Sequence, residues 1–157
     1  PWVQTEFPPM IPVRRLDSNR WKVSASSFEP GEGEPQNAID GSSDTFWHTA
    51  WSETEPKHPH SITIDLGSTL EVRAFEYVPR QSSSNGRIGK WEAYVSEDGE
   101  HWGKVIAAGE FPNDDIPHRV HLSEPKLTRF FRLVALSEVQ GRAWASVAEL
   151  VLFGAPE

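Results

Sequence analysis

Cysteine is absent from the 157-residue chain. That single absence removes disulfide scaffolds, thiolate metal centres and cysteine nucleophiles together. It leaves the compartment open, because a chain of this size folds in an oxidising space without bridges. Also missing is any apolar run near the ~20 residues of a membrane-spanning helix. No charged-then-apolar leader opens the sequence, so an excised or mature fragment is expected. Clustered basic charge is lacking as well. Fifteen Lys and Arg stand against 23 Asp and Glu, a formal net charge of -8, and the densest basic pair is Arg14-Arg15. Binding phosphates takes clustered cations, so neither a nucleic-acid partner nor membrane insertion is expected. No nucleophile elbow, P-loop, H-E-x-x-H or G-x-G-x-x-G pattern occurs. Acid pairs such as Glu53/Glu55 and Asp114/Asp115 are ordinary in an acidic chain, whereas a glycosidase needs carboxylates opposed across a cleft. An enzyme is therefore not expected.

Tryptophan, by contrast, is abundant, with seven residues beside eight Phe and two Tyr. Thirteen Pro and 11 Gly amount to about 15%, below the ~25–30% typical of disordered chains. The length suits one domain with a real core. Residues 1–18, with Pro1, Pro8, Pro9 and Pro12, have no clear period and are expected to form a linker or an N-terminal strap. Residues 19–157 are expected to form the domain.

From Arg20 onward, short apolar runs alternate with turn residues. Trp21 to Ala25 and Ile62 to Leu66 have period two. Phe75 to Val78 stops at Pro79, and Trp91 to Val95 runs into Glu97-Asp98-Gly99. A strand is expected to resume over Trp102 to Ala107, and two more over Phe130 to Leu136 and Val147 to Phe153. This rhythm predicts an all-β sandwich or barrel. Two long connections, Phe28 to His60 and Gln81 to Lys90, hold most of the chemically interesting side chains, and long connections in compact domains tend to be functional or disordered.

Five places in these connections and near the end merit a reading. Asn37 to Thr45 puts oxygen donors around Asp40-Gly41, which suits either a hard cation or an Asx-stabilised turn. Trp47-His48-Thr49-Ala50-Trp51 suits either a buried aromatic corner or a platform for the apolar face of a sugar. His58-Pro59-His60 has too few ligands for a metal centre and is expected to be structural. Arg80 to Arg87 is a polar loop in which Arg80 directly follows a strand, and its planar donor fork suits vicinal hydroxyls or plain solvation. Glu149 stands within the apolar run Val147 to Phe153, and so either faces outward or is paired or metal-bound.

In order, these segments resemble the factor V/VIII type C (discoidin) domain, and within it the bacterial family 32 carbohydrate-binding modules. The resemblance rests on Asn37-Ala38-Ile39-Asp40-Gly41, Thr45-Phe46-Trp47-His48-Thr49, Ile64-Asp65-Leu66-Gly67, Tyr77-Val78-Pro79-Arg80-Gln81, Gly86-Arg87-Ile88, Tyr94 to Trp102, Arg129 to Leu133 and Ala148-Glu149-Leu150. It covers about Asn19 to Gly154. It implies an eight-stranded β-sandwich of jelly-roll type with one structural Ca²⁺, held by Asp40, Thr45 and Glu149 with carbonyls of Ala38 and Ser43. It further implies a sugar site formed by His48, Trp51, Arg80 and Asn85, with Trp144 as a second aromatic and an acid from the first long connection, either Glu29 or Glu32. The function expected from the resemblance is non-catalytic recognition of terminal galactose, GalNAc or GlcNAc on glycans, by a module covalently linked to a catalytic domain in a secreted, periplasmic or cell-surface bacterial protein. The competing expectation is a discoidin-type adhesion domain for a protein or membrane surface. The missing Cys excludes the disulfide that ties the ends of many such relatives.

Overall fold

The structure is a computed structural model and describes residues 12–156. Most of the expected N-terminal strap, residues 1–11, lies outside the described residues. Nine strands are present among the described residues. They are β1 (Arg14–Arg15), β2 (Lys22–Ala25), β3 (Trp47–His48), β4 (His60–Val78), β5 (Lys90–Ser96), β6 (Ala107–Glu110), β7 (His118–Ala135), β8 (Ser146–Val147) and β9 (Glu149–Gly154). The helical content of the described residues is one 3-10 segment, Pro35–Ile39.

The frame is the antiparallel ladder of β4 with β7, 19 and 18 residues long. Its register shifts between Asp65 and Leu70 and again between Val72 and Ala74. Extra residues at such places bend and twist a ladder. At the first shift Gly67 takes φ +82°, a left-handed conformation that glycine adopts without a Cβ penalty. The sequence pattern divides this segment into two strands at Gly67, whereas the chain runs through it as one bent strand. That continuity, with the two-residue strands β1, β3 and β8, is why the tally differs from eight.

The bend gives the ladder two arms that face one another. The first arm is flanked by β2 and β5, with β6 beyond β5, and the second by β9, with β1 beyond β9. Ile62, Ile64, Phe131 and Leu133 point inward from one arm, and Val72, Phe75, Tyr77, Leu150 and Leu152 point inward from the other. Phe75 joins the layers, 5.3 Å between ring centroids from both Phe131 and Trp91. The result is an all-β sandwich of jelly-roll type.

Two details differ from the sequence pattern. The strand expected from Trp102 begins only at Ala107; Trp102 lies in irregular chain with the Arg132 guanidinium 4.0 Å from its ring centroid. Within the segment expected to be a strap, Arg14 and Arg15 pair with Gly154 and Phe153, and Leu16 is buried in the core.

Both ends of β4 reach the same stretch of chain. His60 Nε2 contacts the Ala143 carbonyl at 2.5 Å. At the other end Tyr77 Oη donates to the Ser146 carbonyl, and Ala148 N–H donates to the Val78 carbonyl. The connections after β4, before β3 and before β8 therefore cluster at one end of the sandwich.

Candidate functional site

At that end Glu32, His48, Trp51, Arg80, Asn85 and Trp144 line a pocket of about 190 Å³. They come from four separate segments of the chain. This is smaller than the ~300–1,000 Å³ of drug-sized sites, and it suits one ring with the rest of a ligand outside.

His48 forms the floor and is only 2% exposed. It sits on β3, whose partner is β8 through the pairs Trp47↔Val147 and His48↔Ser146. The first long connection lies directly on it. His48 N–H donates to the Gly33 carbonyl, and Glu29 N–H donates to the His48 carbonyl. A Cβ on Gly33 would lie 2.6 Å from the His48 nitrogen, so only glycine permits this approach. His48 Nδ1 is 2.7 Å from the Thr49 carbonyl. A carbonyl only accepts, so Nδ1 holds the proton and Nε2 is an acceptor. Burial pushes the His48 pKa below 6.5, which keeps the ring neutral at pH 7.

Arg80 follows β4, so the sheet places it. Its guanidinium stacks on Phe46, 4.1 Å from the ring centroid, and Nε donates to Ser82 Oγ. Its carbonyl accepts two bonds from Arg87. The terminal nitrogens make no hydrogen bond among the described residues. Asn85 also lines the pocket, and its Oδ1 accepts from Arg142 Nη1 at 2.6 Å.

The two aromatics of the pocket differ in exposure, Trp51 being exposed and Trp144 half-buried. Trp51 is 44% exposed and its indole N–H donates to Glu32. Trp144 lies 5.7 Å from His48 between ring centroids, and its indole N–H donates to Glu55. Trp47, grouped with Trp51 by the sequence, is a core residue at 1% exposure whose indole N–H donates to the Ser27 carbonyl.

The structure separates the two glutamates that the sequence left as alternatives. Glu32 is exposed and lines the pocket. Glu29 is buried and lines a different depression with Phe28 and Pro30. Its carboxylate accepts from the Ser52 hydroxyl and from the N–H groups of Trp51 and Ser52, which lowers its pKa. Glu29 thus holds the turn that carries Trp51, and of the two alternatives Glu32 is the one that lines this pocket.

On the other side of the 3-10 segment, Glu149 reaches the Asp40-Gly41 turn and accepts from the Gly41 N–H at 2.9 Å. Asp40 accepts from the Ser42 N–H and the Thr45 hydroxyl. Burial works upward on the Asp40 pKa, but these bonds outweigh it and leave the pKa lowered. Burial and the facing Asp40 carboxylate push Glu149 up to about 8. Two acids that face one another with a hydroxyl beside them form a donor set that a hard cation fits. His58 and His60 pack edge to face, 4.5 Å apart, behind the 143–144 segment.

A larger depression, about 620 Å³, lies at the far end of β5, between the 97–105 connection and residues 123–128 of β7. Several of its polar groups pair with one another or with near neighbours. Asp98 accepts from the N–H groups of Glu100 and His101 and from the His101 ring, and Lys126 pairs with Glu124. Asp98, Glu100 and His101 lie close enough together to hold a metal, but all three are exposed parts of this turn. The smaller pocket has the converging side chains.

The model of the F5/8 type C domain matches residues 22–150. The sialidase of Micromonospora viridifaciens is 40% identical over 148 residues, 92% of this chain and 23% of that protein. Galactose oxidase of Gibberella zeae is 39% identical over 142 residues, 89% of this chain and 21% of that protein. The chain spans about a fifth of the length of these curated relatives. Among solved structures, CpGH89CBM32-5 from Clostridium perfringens, in complex with GalNAc-β-1,3-galactose, superposes with a TM-score of 0.83 at 35% identity, covering 90% of this chain and 100% of that one. The family 32 module of NanJ from the same organism, in complex with galactose, gives a TM-score of 0.80 at 28% identity, covering 90% and 98%.

Proposed function

The chain belongs to the F5/8 type C domain family, among its family 32 carbohydrate-binding modules, and on that premise we propose that it is a non-catalytic module for terminal galactose, GalNAc or GlcNAc units on glycans. The observation that carries this reading is the convergence of Glu32, His48, Arg80 and Asn85 with two indoles on a one-ring pocket. Hydroxyls of one saccharide meet donors from Arg80 and Asn85 and acceptors from His48 Nε2 and Glu32. The apolar C–H face meets Trp51 or Trp144. The mixed polar lining suits a sugar better than a bilayer or an apolar protein surface.

A few hydrogen bonds and one stack in a shallow site give a Kd of roughly micromolar to millimolar, about -4 to -8 kcal/mol. Such weak binding is useful on an appendage of a secreted or cell-surface glycan-active enzyme, where tethering supplies effective concentration. The relatives named above, a sialidase and a galactose oxidase, support that setting.

The proposed cation is Ca²⁺. Asp40, Thr45 and Glu149 would hold it with carbonyls of Ala38 and Ser43, and it would join the first long connection to β9. Bound there, the ion supplies structural cross-linking and no chemistry.

Calorimetric titration with galactose, GalNAc and GlcNAc tests the saccharide reading. Saturable heat with at least one is expected. No response to any of them, together with binding to sugar-free liposomes, would overturn it in favour of surface adhesion.

A further inference from the structure

Arg142 lines no part of the pocket, yet it contacts two of its walls. One terminal nitrogen donates to Asn85 Oδ1 at 2.6 Å, from the loop after β4. The guanidinium carbon also lies 5.1 Å from the centroid of Trp144, in the loop before β8. Beneath it is Glu138, whose side chain is fully buried. Glu138 accepts from Arg142 Nε and the Arg142 N–H, and also from the N–H of Gly86, the neighbour of Asn85. Burial works upward on the Glu138 pKa, but these bonds outweigh it and keep the group ionised. The second terminal nitrogen is held by Ser84 and Gln140.

A guanidinium has five donors and no acceptor. The Asn85 atom facing it must therefore be the oxygen, and the amide nitrogen is left without a hydrogen bond among the described residues. Released from Arg142, the amide is free to turn, and either atom then meets the ligand. We infer that Arg142 is a positioning residue that locks the Asn85 carboxamide so that Nδ2 is presented to the bound saccharide as a donor. This inference rests on the saccharide reading for its consequence, though not for its geometry. It also assigns polarity to the site. The hydroxyl opposite Asn85 is met as an acceptor, and the one opposite His48 is met as a donor.

The test uses the wild-type chain, Asn85→Asp, Arg142→Gln and Arg142→Lys, each titrated with the best-bound of galactose, GalNAc and GlcNAc, with thermal melting of every protein. Asn85→Asp keeps the oxygen that Arg142 holds and removes the donor. It should lose at least tenfold in affinity without a fall in Tm, an outcome a merely structural role does not produce. Arg142→Gln should lose about tenfold, and Arg142→Lys should recover part of it. Wild-type affinity in Asn85→Asp, or in a folded Arg142→Gln, would overturn the inference. If Arg142→Gln fails to fold, Asn85→Asp still decides. A further arm needs no sugar. The side-chain NH₂ resonances of Asn85 in the free protein should shift and broaden in Arg142→Lys, and unchanged resonances would overturn the lock. If the wild-type chain binds none of the three sugars, the saccharide reading fails, and this arm judges the lock alone.

Discussion

The rings of His48 and Trp144 lie 5.7 Å apart and tilted by 53°. A strand residue and a loop residue thereby meet as the floor and one wall of the pocket. Their contact depends on β3 pairing with β8. The pocket lining is thus fastened to the sheet at its deepest point.

Arg80→Ala should abolish sugar-dependent chemical-shift changes with the fold intact. Each lost charged hydrogen bond takes about 1.5–3 kcal/mol from a weak complex, while the stack on Phe46 is worth only ~0.5–1 kcal/mol at an exposed site. Titration of the labelled variant is the measurement. Retained binding would remove Arg80 from the site.

The two glutamates should behave differently. Glu32→Gln should weaken binding severalfold at unchanged Tm, because Glu32 is exposed and lines the pocket. Glu29→Gln should lower Tm as well as affinity, because its carboxylate holds the 51–52 backbone. Melting curves beside calorimetry separate the two. Equal Tm in both variants would contradict the assignment.

Three histidines give the protein an acid limit. Burial lowers the pKa of His48, His58 and His60 below 6.5. As the pH falls, the unfolded chain takes up protons before the folded one does. Their contribution to stability is therefore complete above about pH 6.5 and is lost as the pH falls through the lower folded-state values. Sugar affinity should fall in the same window, since a protonated His48 Nε2 no longer accepts. Tm and Kd measured from pH 8 to pH 5 test both, and flat profiles would contradict them.

Chelation should lower Tm. A cation at a hundredfold excess over its Kd adds ~2.7 kcal/mol, which corresponds to about 5–10 °C for a domain of this length. EDTA should remove that increment, and Glu149→Gln should make the protein insensitive to EDTA. An unshifted melt of the wild-type chain would count against a bound ion.

Much of the site is legible in the sequence because its donors lie at fixed offsets from strand ends. Arg80 comes two residues after β4, and His48 ends β3, so the sheet dictates both. The difference between Trp47 and Trp51 is not legible, because two indoles four residues apart look alike until β3 turns one into the core. The same holds for Glu29 and Glu32, whose roles depend on how the chain curls over Gly33. Arg142 was visible in Gln140-Gly141-Arg142-Ala143-Trp144. Only its bond to a residue 57 positions away gives it a role, and no local pattern encodes that. The bend in β4 was hidden for the opposite reason: Gly67 looks like the end of a strand, and the ladder runs on through it.

Because one bent strand reaches the rim at both its ends, the distance across the mouth is set by the ladder and not by the connecting segments. Those segments are therefore replaceable parts. A transplanted loop with different side chains would inherit the same anchor points, which makes this frame a natural starting point for engineering receptors of altered sugar preference.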